Sequence, residues 1–172
     1  MKKLILFLVM ACSFAGKAQF IKAELQASGL TCSMCSFATQ KQLKTLSFID
    51  SIGTDLNNTT FILYFKKDSP IDLDRIKKKV EDAGFFVASL KVTYHFDNLQ
   101  IENDFHFDYQ SNLYHFMNVK PQTLSGNRLL RVIDKGFVTD KEYKKYSKET
   151  TLPCYKTGKM PEVNRVYHVT LL

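Results

Sequence analysis

The chain has 172 residues, 45% hydrophobic and 13% aromatic, which is enough for one or two packed cores and argues against a disordered or fibrous protein. Its formal charge is +7, but three of the 24 basic residues and no acids lie in the first 18 positions, so 21 basic residues face 17 acidic ones in the remainder, a net +4. These charges are scattered apart from Lys77–Lys79, which reads as a solvated helix face, and the scatter speaks against a nucleic-acid surface.

The chain opens on Lys2 and Lys3, an apolar run from Leu4 to Ala11, and small residues at Gly16 and Ala18. That is the order of a secretory signal peptide, and the run is too short to span a membrane. Cleavage is expected after Ala18, with export to the periplasm or cell envelope. A competing reading takes Val9–Cys12 as a lipobox, which would make Cys12 a lipid tether.

From residue 19 the pattern is that of a folded domain. Ile21, Ala23, Leu25 and Ala27 alternate with polar residues, as in a half-buried strand. A loop holding Cys32 and Cys35 follows, then a helix whose apolar side takes Cys35, Ala38, Leu43 and Leu46. Two strands, residues 48–56 and 59–65, flank Asn57-Asn58, a pair suited to a hairpin turn. Ser69 is placed as the N-cap of a second helix, with Pro70 in its first turn and Asp72 completing an acidic capping box. Ile76, Val80 and Ala83 form its apolar stripe and Gly84 ends it. Residues 85–96 make the last strand. The order βαββαβ predicts an α+β, ferredoxin-like open-faced sandwich with both helices on one face. In that arrangement Gly84-Phe85 sits close to the cysteine loop.

Residues 97–172 read differently. Aromatic-rich strands are expected in 99–109, 112–119, 127–138 and 165–172, with a turn at Ser125–Asn127. Thr139 and Glu142 form a capping box for a short helix, and Leu152–Pro161 reads as an irregular loop. A small mainly-β domain follows from this, either a barrel or a compact antiparallel sheet. The expected organisation is a signal peptide at 1–18, a ferredoxin-like domain at 19–96 and a β-rich domain at 97–172.

Cleavage after Ala18 would leave Cys32, Cys35 and Cys154, an odd count that makes a poor disulfide framework. A pair two residues apart in an oxidising compartment must be protected by a ligand or cycle between thiol and disulfide. Soft thiolates select Cu(I), and also Zn(II) and Hg(II). Cu(I) accepts two nearly collinear sulfurs, whereas a structural zinc site would want four ligands, and a second close pair does not exist. His95, His106, His115 and His168 each sit in an aromatic or apolar run and read as ordinary strand residues. Cys154 reads as a free thiol, with an extra soft ligand or a pairing with another chain as the alternatives.

The loop Gly29-Leu30-Thr31-Cys32-Ser33-Met34-Cys35 and the later Ala83-Gly84-Phe85 resemble the heavy-metal-associated domain family, over roughly residues 20–95. That family includes copper chaperones, soluble domains of copper-exporting ATPases and the periplasmic mercury-binding protein. The resemblance implies one soft ion held by Cys32 and Cys35, Cu(I) first, with Zn(II) or Hg(II) as alternatives. It also implies a metal-donor or metal-acceptor protein, such as a metal-exporting ATPase, as partner. Leu30 stands where the family has Met, Thr39 where it has an aliphatic residue, Phe48 where it has Gly, and Phe85 where chaperones often carry Tyr or Lys. No acid/base pair, nucleophile triad or phosphate loop is visible, so no enzyme is expected. The alternatives are an envelope adaptor in which the cysteine pair is incidental, and a thiol-disulfide oxidoreductase.

Overall fold

The computed structural model describes residues 19–30, 32–55, 58–110, 112–163 and 165–172. The segment 1–18 expected as a signal peptide, with Lys2, Lys3 and Cys12, lies outside them, as do Thr31 and Asn57. Eight strands and four helices are present among the described residues: β1 (Gln19–Ser28), α1 (Ser33–Leu43), β2 (Ile49–Asp55), β3 (Thr60–Phe65), α2 (Leu73–Asp82), β4 (Phe86–Ile101), β5 (His106–Tyr109), β6 (Asn112–Phe116), β7 (Gln122–Val132), α3 (Asp140–Tyr146), α4 (Cys154–Thr157) and β8 (Val166–Leu171). None of these helices is long and apolar enough to cross a membrane.

The first six elements follow the expected βαββαβ order. Their strands lie in the order β2-β3-β1-β4, all antiparallel, and α1 and α2 lie side by side. Thr39 and Leu43 from α1 and Leu73, Ile76 and Val80 from α2 are buried. The apolar ones share one core with Ala23, Leu25, Leu63 and Leu90 of the sheet.

Several local expectations shift for identifiable reasons. A β-bulge between Phe20 and Lys22 changes the pleat, so Phe20 takes the buried place expected for Ile21. In α1 the inward position belongs to Thr39, 0% exposed, while Ala38 faces solvent. The Thr39 hydroxyl donates to the Cys35 carbonyl at 3.0 Å, so its burial leaves no unsatisfied polar group. Helix α2 begins at Leu73 with Asp72 as N-cap, its carboxylate accepting from Arg75 N at 3.0 Å, and Ser69 is not the cap. The cause is tertiary: Gln110 donates to the Ser69 carbonyl and accepts from Ile71 N, both at 3.0 Å, and so holds this segment out of the helix. Lys77–Lys79 do not share one solvated face, because Lys77 lies over the Phe137 ring at 5.2 Å while Lys78 and Lys79 pair with Asp82.

The larger difference is in the second half. The boundary expected between residues 96 and 97 falls inside β4, a strand of 16 residues. One edge of β4 pairs with β1 and the other with β7, and the sheet continues β4-β7-β8-β6-β5 as an open sheet, not a barrel. Pairing is antiparallel throughout except for β6 with β8, which is parallel. Ser125–Asn127 is not a turn. These residues lie within β7, opposite a register shift between Phe96 and Leu99, where Gly126 has φ +68 and Asn98 φ +49. Residues that tolerate positive φ serve there as a bulge. The segment expected as irregular from Leu152 to Pro161 contains α4, and the capping box of Thr139 and Glu142 forms as read.

One apolar core runs through both halves. Phe20 of β1 makes edge contacts with Tyr94, Tyr109 and Tyr114 at 4.9, 5.0 and 5.2 Å between ring centroids. The N-terminal end of α2 is tied to β8: the Tyr167 hydroxyl accepts from Asp74 N at 3.3 Å, and Arg165 Nε donates to the Asp74 carboxylate at 2.8 Å. Burial would raise the Asp74 pKa, but the hydrogen bond and charge of Arg165 prevail and hold it below the usual carboxylate value.

Candidate metal centre

The cysteine pair lies at the end of the sheet where β1 finishes and β4 begins. Ser28 pairs with Phe86 across these strands, and the Ser28 hydroxyl donates to the Phe86 carbonyl at 3.2 Å. The two loops expected to be neighbours therefore are neighbours. Gly29, at φ +85, turns the chain out of β1, and a Cβ built on it would lie 3.5 Å from Phe85 Cδ1. The half-buried Phe85 ring thus rests against the first residue of the cysteine loop. Leu30 packs partly buried against the core, which matches an apolar residue beneath the loop.

Cys32 is the N-cap of α1. Its backbone is extended (φ −144, ψ 157), and its sulfur accepts a hydrogen bond from Cys35 N at 3.2 Å. A sulfur thus takes the place that a hydroxyl or carboxylate oxygen fills at most helix starts. Cys35, expected at the helix start, is its third residue. Cys32 is exposed and Cys35 partly buried, and the two are joined as a disulfide with 5.3 Å between Cα atoms. On reduction, the positive end of the helix dipole and the free N–H groups of the first turn would favour the thiolate at Cys32. Met34 between the cysteines, Phe37 on the next turn and Phe86 beside Phe85 are strongly exposed apolar side chains, at 72%, 61% and 70%.

Of the other chemistry-bearing residues, His95 sits at the surface of β4 with Nδ1 2.7 Å from Asn127 Oδ1. The structure groups His106, His115 and Cys154, which lie on separate segments of the chain, at the opposite end of the strand order from β2. The signal for the two histidines is a His in each aromatic strand segment, but strand register alone sets them side by side, and α4 brings Cys154 to them.

No family model matches the chain. A curated relative, "Probable copper-transporting ATPase HMA5" from Arabidopsis thaliana, is 37% identical over 65 residues, which are 37% of this chain and 6% of that protein. The chain thus spans a small fraction of the curated relative that it matches. Among solved structures, a CopZ metallochaperone is 24% identical with a TM-score of 0.36, covering 39% of this chain and 98% of its own. The yeast copper transporter domain Ccc2a is 28% identical with a TM-score of 0.34, covering 38% and 88%. CopP from Helicobacter pylori is 26% identical with a TM-score of 0.35, covering 40% and 100%. The N-terminal half of the chain is similar to heavy-metal-associated domains.

Proposed function

We propose that this protein is an exported soft-metal-binding protein of the periplasm or cell envelope. In its reduced form it holds one Cu(I) between Cys32 and Cys35 and passes it by ligand exchange to the thiolates of a partner, such as a metal-exporting ATPase. The observation that carries this reading is the placement of both sulfurs at the exposed N-terminal turn of α1, where a helix end favours thiolates. The sequence likeness to a copper-transporting ATPase supports it, as does the preference of thiolate pairs for Cu(I). Exposed Met34, Phe37 and Phe86 give the partner an apolar surface beside the sulfurs.

The test is anaerobic Cu(I) titration of the reduced protein against a competing chelator. One equivalent should bind, and a Cys32→Ser, Cys35→Ser double variant should lose that binding. Undiminished affinity in the double variant would overturn the proposal. The disulfide favours a second reading, a thiol-disulfide oxidoreductase. Insulin reduction assayed on the same two proteins decides it: turnover that depends on the cysteine pair supports this reading, and silence removes it.

Phe85 offers a further check on the same site. The ring is half-buried and lies against Gly29, so removing it should cost the loop about 1 kcal/mol of apolar contact, or about fivefold in an opening equilibrium. Phe85→Ala should therefore release Cu(I) to a chelator about fivefold faster, with an unchanged circular dichroism spectrum. Equal rates in the two proteins would show that the ring has no part in covering the loop.

A further inference from the structure

The register of the second half sets three histidines in a row. His106 of β5 faces His115 of β6, and His115 faces His168 of β8. Directly opposed residues on adjacent strands share a face. Alternate residues Phe107, Tyr114, Phe116, Tyr167 and Val169 join the main core. The histidine face carries Leu113 and Val166, which cluster with Cys154 of α4. Cys154 Sγ lies 3.6 Å from His115 Nδ1 and 3.8 Å from His106 Nε2, and one ligand atom from each of the three lies within 4.8 Å of the others.

We infer that His106, His115 and Cys154 form a second metal site, separate from Cys32 and Cys35, for one divalent transition-metal ion that takes mixed nitrogen and sulfur ligands, such as Zn(II). The distances carry the argument. With about 2.3 Å from metal to sulfur and about 2.05 Å to nitrogen, a tetrahedral angle sets sulfur and nitrogen about 3.6 Å apart and a trigonal one about 3.8 Å. The two observed separations are these two values. The supporting groups fit as well. His115 Nε2 lies 2.8 Å from Asp104 Oδ1, leaving Nδ1 toward the sulfur. This is the carboxylate–histidine arrangement that orients metal ligands. His168 repeats it, with Nδ1 2.7 Å from Asp134 Oδ1. Its buried Nε2 has no hydrogen-bond partner among the described residues, and its ring centroid is 5.0 Å from that of His115. It is a spare donor beside a three-ligand set that leaves a fourth position open.

The rings of His106 and His115 stack at 4.2 Å and 14°, so an ion bound in the plane of both must draw one of them out of the stack. His106, the partly exposed member, is the one free to turn, and it gives the ion its way in from solvent. Cys154, His115 and Asp104 also have the order of a nucleophilic triad. A Cys154 that is 2% exposed with its thiol pKa pushed up by burial is unsuited to that role.

The test uses the full chain with Cys12→Ser, Cys32→Ser and Cys35→Ser, in which Cys154 is the one thiol left, so failure here leaves the cysteine-pair reading untouched. Co(II) is the probe, since it reports a thiolate ligand by a near-ultraviolet charge-transfer band and tetrahedral geometry by visible bands. One equivalent should produce both, and Zn(II) should displace it. Adding Cys154→Ala should remove the charge-transfer band. Asp104→Asn, at a half-exposed position that should tolerate it, should weaken binding by about 10- to 100-fold, and His106→Ala should weaken it further. The inference is overturned if the triple-serine chain, folded by circular dichroism, shows no charge-transfer band, or if His106→Ala and Asp104→Asn leave Co(II) affinity unchanged.

Discussion

Cu(I) binding at Cys32 and Cys35 should be all or nothing with respect to the disulfide. Each sulfur in the oxidised pair has its bonding taken up by the other and carries no thiolate charge, and thiolates are what a soft ion selects. Protein oxidised to the disulfide should retain no Cu(I) against a chelator, while the same sample, reduced and cleared of reductant under anaerobic conditions, should retain one equivalent. Linkage fixes the reverse effect. An ion that binds only the dithiol form, present at about 1,000 times its Kd, stabilises that form by about 4.1 kcal/mol. For a two-electron couple this moves the potential about 90 mV in the positive direction. Redox titration with and without the ion measures the shift. Retention of Cu(I) by the oxidised protein, or a potential indifferent to the ion, would contradict this account.

Phe20→Ala should destabilise both halves of the molecule together. Phe20 is 4% exposed, and its ring touches Tyr94 of β4 together with Tyr109 and Tyr114 of the second half. Removing a buried Phe ring costs about 3–5 kcal/mol, against about 5–15 kcal/mol for a whole domain. At about 2–4 °C per kcal/mol for a chain of this size, the melting midpoint should fall by about 10 °C. Because one core crosses the middle of β4, the loss should appear as one transition. Amide-exchange protection should fall alike at Leu25 and Leu63 on one side and at Tyr114 and Val169 on the other. A loss confined to β1 and β3 would show that the two halves unfold independently.

Features that depend on neighbours along the chain are legible in the residues alone. Alternating apolar residues marked β1, the capping pair Thr139 and Glu142 marked α3, and Gly84, at φ +88, marked the end of α2. The run from Gly29 to Cys35 placed two sulfurs at the start of a helix, because strand, glycine turn and helix signals lie within a dozen residues of one another. Other features depend on partners far along the chain and emerge only from the packed molecule. Gln110 pins Ser69 and Ile71 and moves the start of α2 to Leu73. The far edge of β4 finds β7, which erases the break expected at residues 96 and 97. Strands buried on both faces, such as β6 and β8, lose the polar alternation that would have shown which way each side chain points. His106, His115 and His168 therefore read as three unrelated strand residues until register fixed their row. Cys154 read as a lone thiol until α4 set it against that row. Local periodicity reports which side of one strand is apolar, but it carries no information on which residue of a distant strand will lie opposite.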